Sequence, residues 1–432
     1  MANDMLLKNA QCIDHTGKLS EPLYIGIVNG RISWIAENEE LFQEPVDTLD
    51  CSDLIVTPGL VNLHTHSPMS LFRGMAEDVQ IDDWFNREIW PLEKNMDESQ
   101  AFAGALASCY EMINAGVTAF ADHYLFPESI IFAILESGVR GDLAPTLFGV
   151  SDTFQDDLRT SIRLMDKYQH KNPCFSMRFG PHSPYTCQPH QLKEIIQAAK
   201  SFNTGIHIHL SETKQQVKNS LNTYGKTPFQ ILDEAGGFSV PAILAHGLWI
   251  QETDCPYLSD DSHMAVSPKT YLKLAMGEGK LWDLADQLPL AIGTDGAGSS
   301  NSANPLEQIR LFGLLGKHIR RDATAFPLES LWQMLMRGHA ALPFNTGRIE
   351  VGYEADLVFW DLNRLEIQPN HNPLASILYS CDTSHVKHVL VRGSYVKRDG
   401  KVLMDKEKVT HLFRKAYGIL LERGKGESHI LF

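Results

Sequence analysis

A chain of 432 residues, 43% of them hydrophobic, can bury a large core, which excludes wholesale disorder. Its 53 acidic residues outnumber 38 basic ones for a net charge of −15, which argues against a protein built to grip phosphate backbones. The seven cysteines (Cys12, Cys51, Cys109, Cys174, Cys187, Cys255, Cys381) are odd in number and contain no Cys-x-x-Cys pair, so neither a disulfide framework nor a zinc finger is expected.

Residues 1–10 lack a basic segment followed by an apolar run, so no signal peptide is expected. Residues 5–12, 24–28 and 31–35 are apolar or alternating runs that predict strands, with a hairpin turn signal at Asn29-Gly30. From about residue 58 short apolar strands alternate with longer helical patterns. Eight strands are predicted, at 60–66, 119–123, 145–150, 175–181, 205–210, 242–246, 263–266 and 290–294. Helical patterns lie between them, among them 98–114, 189–202 and 269–287, and a helix at 329–341 closes the series. The most apolar stretch, 101–121, carries Glu111 and Asn114 and reads as a buried helix running into a strand, not as a membrane span. The compartment this suits is the cytoplasm.

Strand followed by helix, eight times, predicts an α/β fold of the (β/α)8 TIM-barrel type over 58–350. An open doubly wound sheet would want a Gly-rich phosphate loop after an early strand, and none is present. Beyond the barrel, 355–360, 386–391 and 394–397 again read as strands, with a turn at Asp399-Gly400 and an amphipathic docking helix at 406–423. Each β-rich end is too short to be a comfortable domain. Pairing 1–57 with 351–432 into one small β-sandwich-like domain is the economical reading.

Active sites of such barrels sit at the C-terminal ends of the strands, so the residues ending each strand carry the argument. Strand one ends in His64-Thr65-His66, strand two in Asp122-His123, strand five in His207-Ile208-His209 and strand six in His246. Strand four runs into His182 and strand eight into Asp295. One histidine in an apolar segment is ordinarily a packed core residue, but polar residues gathered at one rim are harder to explain that way. Side chains alternate faces, so His64 and His66 point to the same side and can share one metal ion at roughly 2.0–2.1 Å per bond. His209 can supply a third imidazole and Asp295 a carboxylate oxygen. Three His and one Asp leave room for a water on zinc, which suits a catalytic rather than a closed structural site. Glu212 falls just past strand five, where a carboxylate can move protons between that water and a substrate nitrogen; the alternative is a surface or helix-capping residue. His246 and His182 stay open between substrate contact, support of the metal ligands and packing.

The run Pro58-Gly59-Leu60-Val61-Asn62-Leu63-His64-Thr65-His66 resembles the opening metal motif of the amidohydrolase superfamily. His209-Leu210-Ser211-Glu212, Ala245-His246-Gly247 and Gly293-Thr294-Asp295-Gly296 fit the later motifs, and residues 347–358 resemble the segment where such chains leave the barrel for a small sheet domain. No lysine ends strand four, so the resemblance implies one divalent metal, zinc first, rather than two bridged by a carboxylated lysine. Within the superfamily the chain is similar to the 5-methylthioadenosine/S-adenosylhomocysteine deaminases and the triazine chlorohydrolases. Met69-Ser70-Leu71-Phe72-Arg73-Gly74, Trp84, Trp90-Pro91-Leu92-Glu93, Gly180-Pro181-His182-Ser183-Pro184-Tyr185 and the run from Thr294 to Asn301 carry that likeness. It implies that Glu93 holds ribose hydroxyls, His182 contacts the substrate, Glu212 handles a ring proton and Asp295 accepts a proton from the metal's water. The strand-seven segment departs from the family pattern: Val266 stands where a histidine is usual, and Thr270-Tyr271 replaces Ser-Asn. An arginine that some of these enzymes use after strand three has no counterpart near Pro145 to Ser151.

The expected function is a zinc-dependent hydrolytic deaminase of an aminated heterocycle, an adenosine-type nucleoside such as 5-methylthioadenosine or S-adenosylhomocysteine, with release of ammonia. In that reaction His246 and Asp295 orient and deprotonate the water, and Glu212 protonates the ring nitrogen beside the amino-bearing carbon. A guanine or pterin deaminase and a triazine chlorohydrolase are the alternatives. The expected partner is a small heterocyclic molecule, with no nucleic acid and no membrane; a homo-oligomer stays open. Gly277-Glu278-Gly279-Lys280 lacks the glycine spacing and following Ser/Thr of a phosphate loop, and no Gly-x-Ser-x-Gly elbow supports a serine hydrolase.

Overall fold

The structure is a computed structural model that describes residues 4–38 and 47–423. Parts of the expected terminal segments, 1–3, 39–46 and 424–432, lie outside the described residues, as does the start of the stretch read for a signal peptide.

Eight parallel strands form the centre: Leu60–Thr65, Val117–Tyr124, Arg140–Leu147, Phe175–Met177 with its continuation Gly180–Pro181, Ile206–Leu210, Ala242–His246, Ser262–Val266 and Leu290–Ile292. They pair in two runs, strands one to four and five to eight. The runs join where Phe179 bridges Ile206 and the His207 N–H donates to the Phe179 carbonyl at 2.9 Å. The ring closes where the Thr294 and Asp295 N–H groups both donate to the His64 carbonyl, at 2.9 and 3.0 Å. Alternation then sorts the side chains. Val61, Leu63, Ala119, Ala121, Ile243 and Ala265 fill the barrel interior, while outward-facing residues such as Leu60 and Phe120 pack in the main core.

The helix Glu98–Asn114 occupies its expected span, opened by Asp97, whose carboxylate accepts from the Ser99 and Gln100 N–H groups. The helix at 269–287 does not form as one piece. It breaks into Pro268–Lys273, Leu281–Leu284 and a 3₁₀ turn at Ala285–Gln287, because Gly277 and Gly279 adopt φ of +86° and +59° between them. Strand three also shifts, from the expected 145–150 to Arg140–Leu147. Its start is charged, yet Arg140 and Asp142 are buried. Arg140 donates to Asp356 at 2.7 Å and to Glu354 at 2.9 Å, and Asp142 pairs with Arg178 on the next strand. Partners remote in the chain let a charged segment enter a sheet.

Strands from both chain ends pair in a nine-stranded mixed sheet. Its order is Lys401–Val402, Ser394–Arg398, Val386–Val391, Leu357–Asp361, Leu54–Pro58, Met5–Cys12, Leu23–Val28 and Arg31–Ala36, with Asp47–Asp50 also beside Met5–Cys12. The seam is the antiparallel pair Leu357–Asp361 and Leu54–Pro58, in which Phe359 faces Val56. Met5, Leu7, Ile25, Ile27, Leu357 and Phe359 make its own core. The helix Lys406–Glu422 packs against Glu98–Asn114, and Arg423 just beyond it pairs with Asp97 at 2.7 Å. Among the described residues no helix is long and apolar enough to cross a membrane.

Candidate metal and active site

Strand one delivers His64, with His66 one residue past its end; Leu63 already faces the interior, so it is the register irregularity between Asn62 and Thr65, not strict alternation, that brings both imidazoles to the centre. Strand five delivers His209 and strand eight runs into Asp295. The close approach of strand eight to strand one needs Gly293, where a Cβ would lie 2.7 Å from that of His64. The ring nitrogens away from the centre are held in place. His66 Nδ1 lies 2.6 Å from the His123 carbonyl, His209 Nδ1 lies 2.9 Å from the His182 carbonyl, and His64 Nδ1 lies 2.9 Å from His207 Nε2. An Nδ1–H given to a carbonyl leaves the Nε2 lone pair free, which fixes the tautomer a metal ligand needs.

Those Nε2 atoms converge. His66 Nε2 and His209 Nε2 are 3.3 Å apart, and Asp295 Oδ1 lies 3.3 Å from His66 Nε2 and 3.8 Å from His64 Nε2. Ligands of one tetrahedral zinc stand about 3.3 Å from one another, from bonds of about 2.0–2.1 Å. His64 Nε2 is fully buried and has no hydrogen-bond partner among the described residues, which is costly unless something else takes its lone pair. His64, His66 and Asp295 therefore form one group that could hold a metal ion. His123 also stands close enough to join a ligand group with His66 and His209, as does His246 with His64 and His209.

The remaining charged groups ring this centre. Glu212 is buried, with Oε1 3.6 Å from His246 Nε2. Burial pushes its carboxyl above the ordinary value; the neighbouring His246 opposes this and Asp295 adds to it. Burial raises the Asp295 carboxyl as well, but the close approach of His66, then the charge of His246 and the hydrogen bond from Ser299, outweigh it and hold it at about 2. Burial lowers His66, and the Asp295 carboxylate wins there too, raising it. Three strand ends carry non-glycine residues in the left-handed region: Ser211 at φ +46°, His246 at +76° and Asp295 at +60°. Such residues cost of order 1–3 kcal/mol each and persist only where their surroundings over-determine them.

The amidohydrolase family profile matches residues 55–401. A 5-methylthioadenosine/S-adenosylhomocysteine deaminase of Thermoanaerobacter pseudethanolicus is 34% identical over 97% of this chain and 100% of its own. A 5'-deoxyadenosine deaminase of Methanopyrus kandleri is 35% identical over 87% of this chain and 89% of its own. Among solved structures, an adenosine deaminase from Xanthomonas campestris with bound zinc superposes with a TM-score of 0.91 at 27% identity, covering 96% of this chain and 98% of that one. The chain belongs to the amidohydrolase family.

As an amidohydrolase it is a hydrolase of carbon–nitrogen bonds. Most of the residues singled out in its sequence meet at one cavity: His66, Glu93, His182, His209, Glu212, His246 and Asp295 line it, and the His64 ring centroid lies 4.9 Å from that of His66. Glu93 is buried in the wall; burial raises its carboxyl, against the Tyr124 hydroxyl beside it. His182 stacks near Phe148 at 4.5 Å between ring centroids, and its Nδ1 lies 2.9 Å from Thr186 Oγ1. Burial first, then the neighbouring His123, holds its imidazole well below the usual value, so it stays neutral. Trp84 and Trp90 line the cavity as well.

Sequence reasoning missed the groups that hold this amidohydrolase's site together. Thr270 and Ser299 both donate to Asp295 Oδ2, at 3.1 and 2.7 Å. Thr270 belongs to the departing strand-seven segment, so that departure keeps a hydroxyl where Asp295 needs one. Tyr271 places its hydroxyl 3.0 Å from the Ser267 N–H, with its ring 5.8 Å from that of His246. His207, already placed at the end of strand five by the His-x-His spacing, turns out to hold His64, with its Nε2 2.9 Å from His64 Nδ1. Thr270 left no such signal.

Proposed function

We propose that this amidohydrolase is a zinc-dependent deaminase that removes the ring amino group of an adenosine-type nucleoside, such as 5-methylthioadenosine or S-adenosylhomocysteine, as ammonia. The observation that carries this reading is the placing of Glu212, a buried carboxyl pushed towards its protonated form, against His246 and in the same cavity as His66, His209 and Asp295. A group so placed can give a proton to a ring nitrogen, a step that loss of an aromatic amine requires. The names of the relatives support the adenosine class.

His64, His66, His209 and Asp295 would hold the ion. When bound, one zinc supplies a Lewis acid and makes water nucleophilic near neutral pH. The chain's own residues do the rest. Asp295, kept ionised by its donors, and His246 orient the attacking water, and Asp295 accepts its proton. Glu212 protonates the ring nitrogen next to the amino-bearing carbon, which makes that carbon electrophilic, and ammonia leaves after protonation. Glu93 receives the ribose hydroxyls, and neutral His182 contacts the base. Each proton transfer contributes on the order of 10²–10⁴-fold.

The same reading makes 1–57 and 351–432 one small β-sandwich-like domain beside the barrel at 58–350, which the Phe359–Val56 seam supports. A cytoplasmic place fits seven cysteines that are all free. The test is a panel of 5-methylthioadenosine, S-adenosylhomocysteine, 5'-deoxyadenosine, guanine, a pterin and a chlorotriazine, scored for ammonia and chloride alongside metal analysis. Ammonia from the adenosine derivatives with one zinc per chain is expected. Turnover confined to guanine or the pterin, or chloride from the triazine, would overturn the adenosine assignment.

A further inference from the structure

Gln216 does two jobs with one side chain. It is the third residue of the helix Lys214–Tyr224, whose cap is Thr213. Its carbonyl oxygen accepts from the Glu212 N–H at 3.1 Å and from the Thr213 N–H at 3.2 Å, and its own N–H donates to Thr213 Oγ1 at 3.1 Å. That is a capping box, and Thr-x-x-Gln is one of its sequence forms. The amide nitrogen does something a capping box does not require. Nε2 donates to Glu212 Oε2 at 3.4 Å, and Gln216 is only 3% exposed.

The backbone there needs holding. Ser211 sits at φ +46°, a strained position for a residue with a Cβ, and it re-aims Glu212 away from the line of strand five. Its carbonyl accepts from the Trp249 N–H at 2.9 Å, which ties it to the loop after strand six. Gln216 then clasps residue 212 at both its N–H and its carboxyl. The two carboxyl oxygens are thereby made unequal. Oε2 accepts from an amide that can only donate at that atom, and Oε1 faces His246 Nε2 at 3.6 Å. A carboxylic acid whose one oxygen already accepts a hydrogen bond carries its proton on the other.

We infer that Gln216 is a positioning residue that keeps the transferable proton of Glu212 on Oε1, on the His246 side of the cavity. This rests on the reading of Glu212 as the proton donor. The clasp and the donor can be separated, because glutamate at position 216 keeps the accepting oxygens of a capping box and loses the amide donor.

The experiment compares Gln216→Glu, Gln216→Met and Glu212→Gln with the parent, each loaded with zinc, for kcat and KM with 5-methylthioadenosine, zinc content and Tm. Gln216→Glu is expected to keep its zinc and KM, to lose some Tm because it buries a second carboxyl beside Glu212, and to lose at least tenfold in kcat. Gln216→Met is expected to lose the same kcat and also Tm, because it removes the cap as well. A purely structural role predicts full kcat per folded molecule for Gln216→Glu, whatever its Tm, and that result overturns the inference. Should Gln216→Glu fold poorly, Gln216→Met with kcat within twofold of the parent overturns it equally. Glu212→Gln separates the two levels: if it keeps full turnover the functional reading falls, whereas a dead Glu212→Gln beside a fully active Gln216→Glu sinks only the positioning role.

Discussion

The two ends of the barrel bury charge in opposite ways. At the start of strand three every guanidinium nitrogen of Arg140 donates: Nε to Asp356 at 2.7 Å, Nη2 to Asp356 at 3.0 Å and to Glu354 at 2.9 Å, and Nη1 to the Pro173 carbonyl at 2.9 Å. Asp356 also accepts from the Arg392 N–H at 2.8 Å. At the C-terminal rim, by contrast, His64 Nε2 is buried without a hydrogen-bond partner among the described residues, and Ser211, His246 and Asp295 hold left-handed φ angles. A satisfied buried cluster fixes structure. An under-satisfied, strained one is kept because something else completes it. The contrast predicts that substitutions at the rim cost activity and leave the fold, and that those at Arg140 cost the fold.

The largest effect belongs to the rim. Glu212→Gln is expected to keep bound metal and Tm while kcat falls by about 10²–10⁴-fold, read from ammonia release beside metal analysis. Dialysis against a chelator should abolish turnover and lower Tm, and zinc should restore both, since a ligand that binds only the folded state stabilises it. Survival of full activity without metal would break the contrast at its root.

At the other end, Asp356→Ala leaves the Arg140 charge buried and short of its main partner. A loss of about 3–5 kcal/mol is expected, measured by urea unfolding, with kcat per folded molecule unchanged. A variant that stays stable but loses kcat would show that the two ends are not separate in function.

The same contrast explains how much could be read from the sequence. The rim was legible because its chemistry is written locally. His64-Thr65-His66 and His207-Ile208-His209 each declare a strand with two inward imidazoles, and Asp295 follows an apolar run that ends at a glycine. Strand three was placed too late, at 145–150, because a charged start is unusual inside a sheet until the partners of Arg140 and Asp142, Asp356 and Arg178, are known. The continuous helix at 269–287 was a failure of another kind. Its apolar spacing persists through Gly277 and Gly279, whose backbone angles no periodicity registers. Thr213-x-x-Gln216 was readable as a cap, but the reach of Gln216 back to Glu212 depends on the bend at Ser211.

A buried cation without a carboxylate partner falls between the two cases. Lys397 is 1% exposed, and its amine donates to the Asn114 and Thr383 carbonyls at 2.8 and 3.0 Å. Burial lowers it from 10.5 to about 8. Between pH 8 and 10.5 the unfolded chain therefore binds the proton that the folded chain has released, so this group makes stability rise with pH across that window and penalises the fold below it. Buried thiols act in the opposite sense: Cys12 and Cys109, pushed up to about 12 by burial, lose stability as pH climbs above 9. The Lys397 contribution is isolated by comparing the parent with Lys397→Met. The stability difference between them should shift by about 1–3 kcal/mol in the parent's favour from pH 8 to pH 10. A pH-independent difference would mean that Lys397 holds an ordinary pKa.

The smallest effect tests how finely the rim is held. Asp295 Oδ2 accepts from both Ser299 and Thr270, at 2.7 and 3.1 Å. Thr270→Val removes the longer of these bonds and keeps shape and burial, so Tm should hardly move. Groups that orient a metal's ligands are worth 10–100-fold in affinity or activity. With Ser299 still in place the lower end applies, about tenfold in zinc affinity, read by competition with a chelator. Thr270→Ser, which restores the hydroxyl of the more usual family residue, should recover the parent value. Unchanged affinity in Thr270→Val would assign the holding of Asp295 Oδ2 to Ser299, and the strand-seven departure would then reach the centre through Tyr271 and its contact with His246.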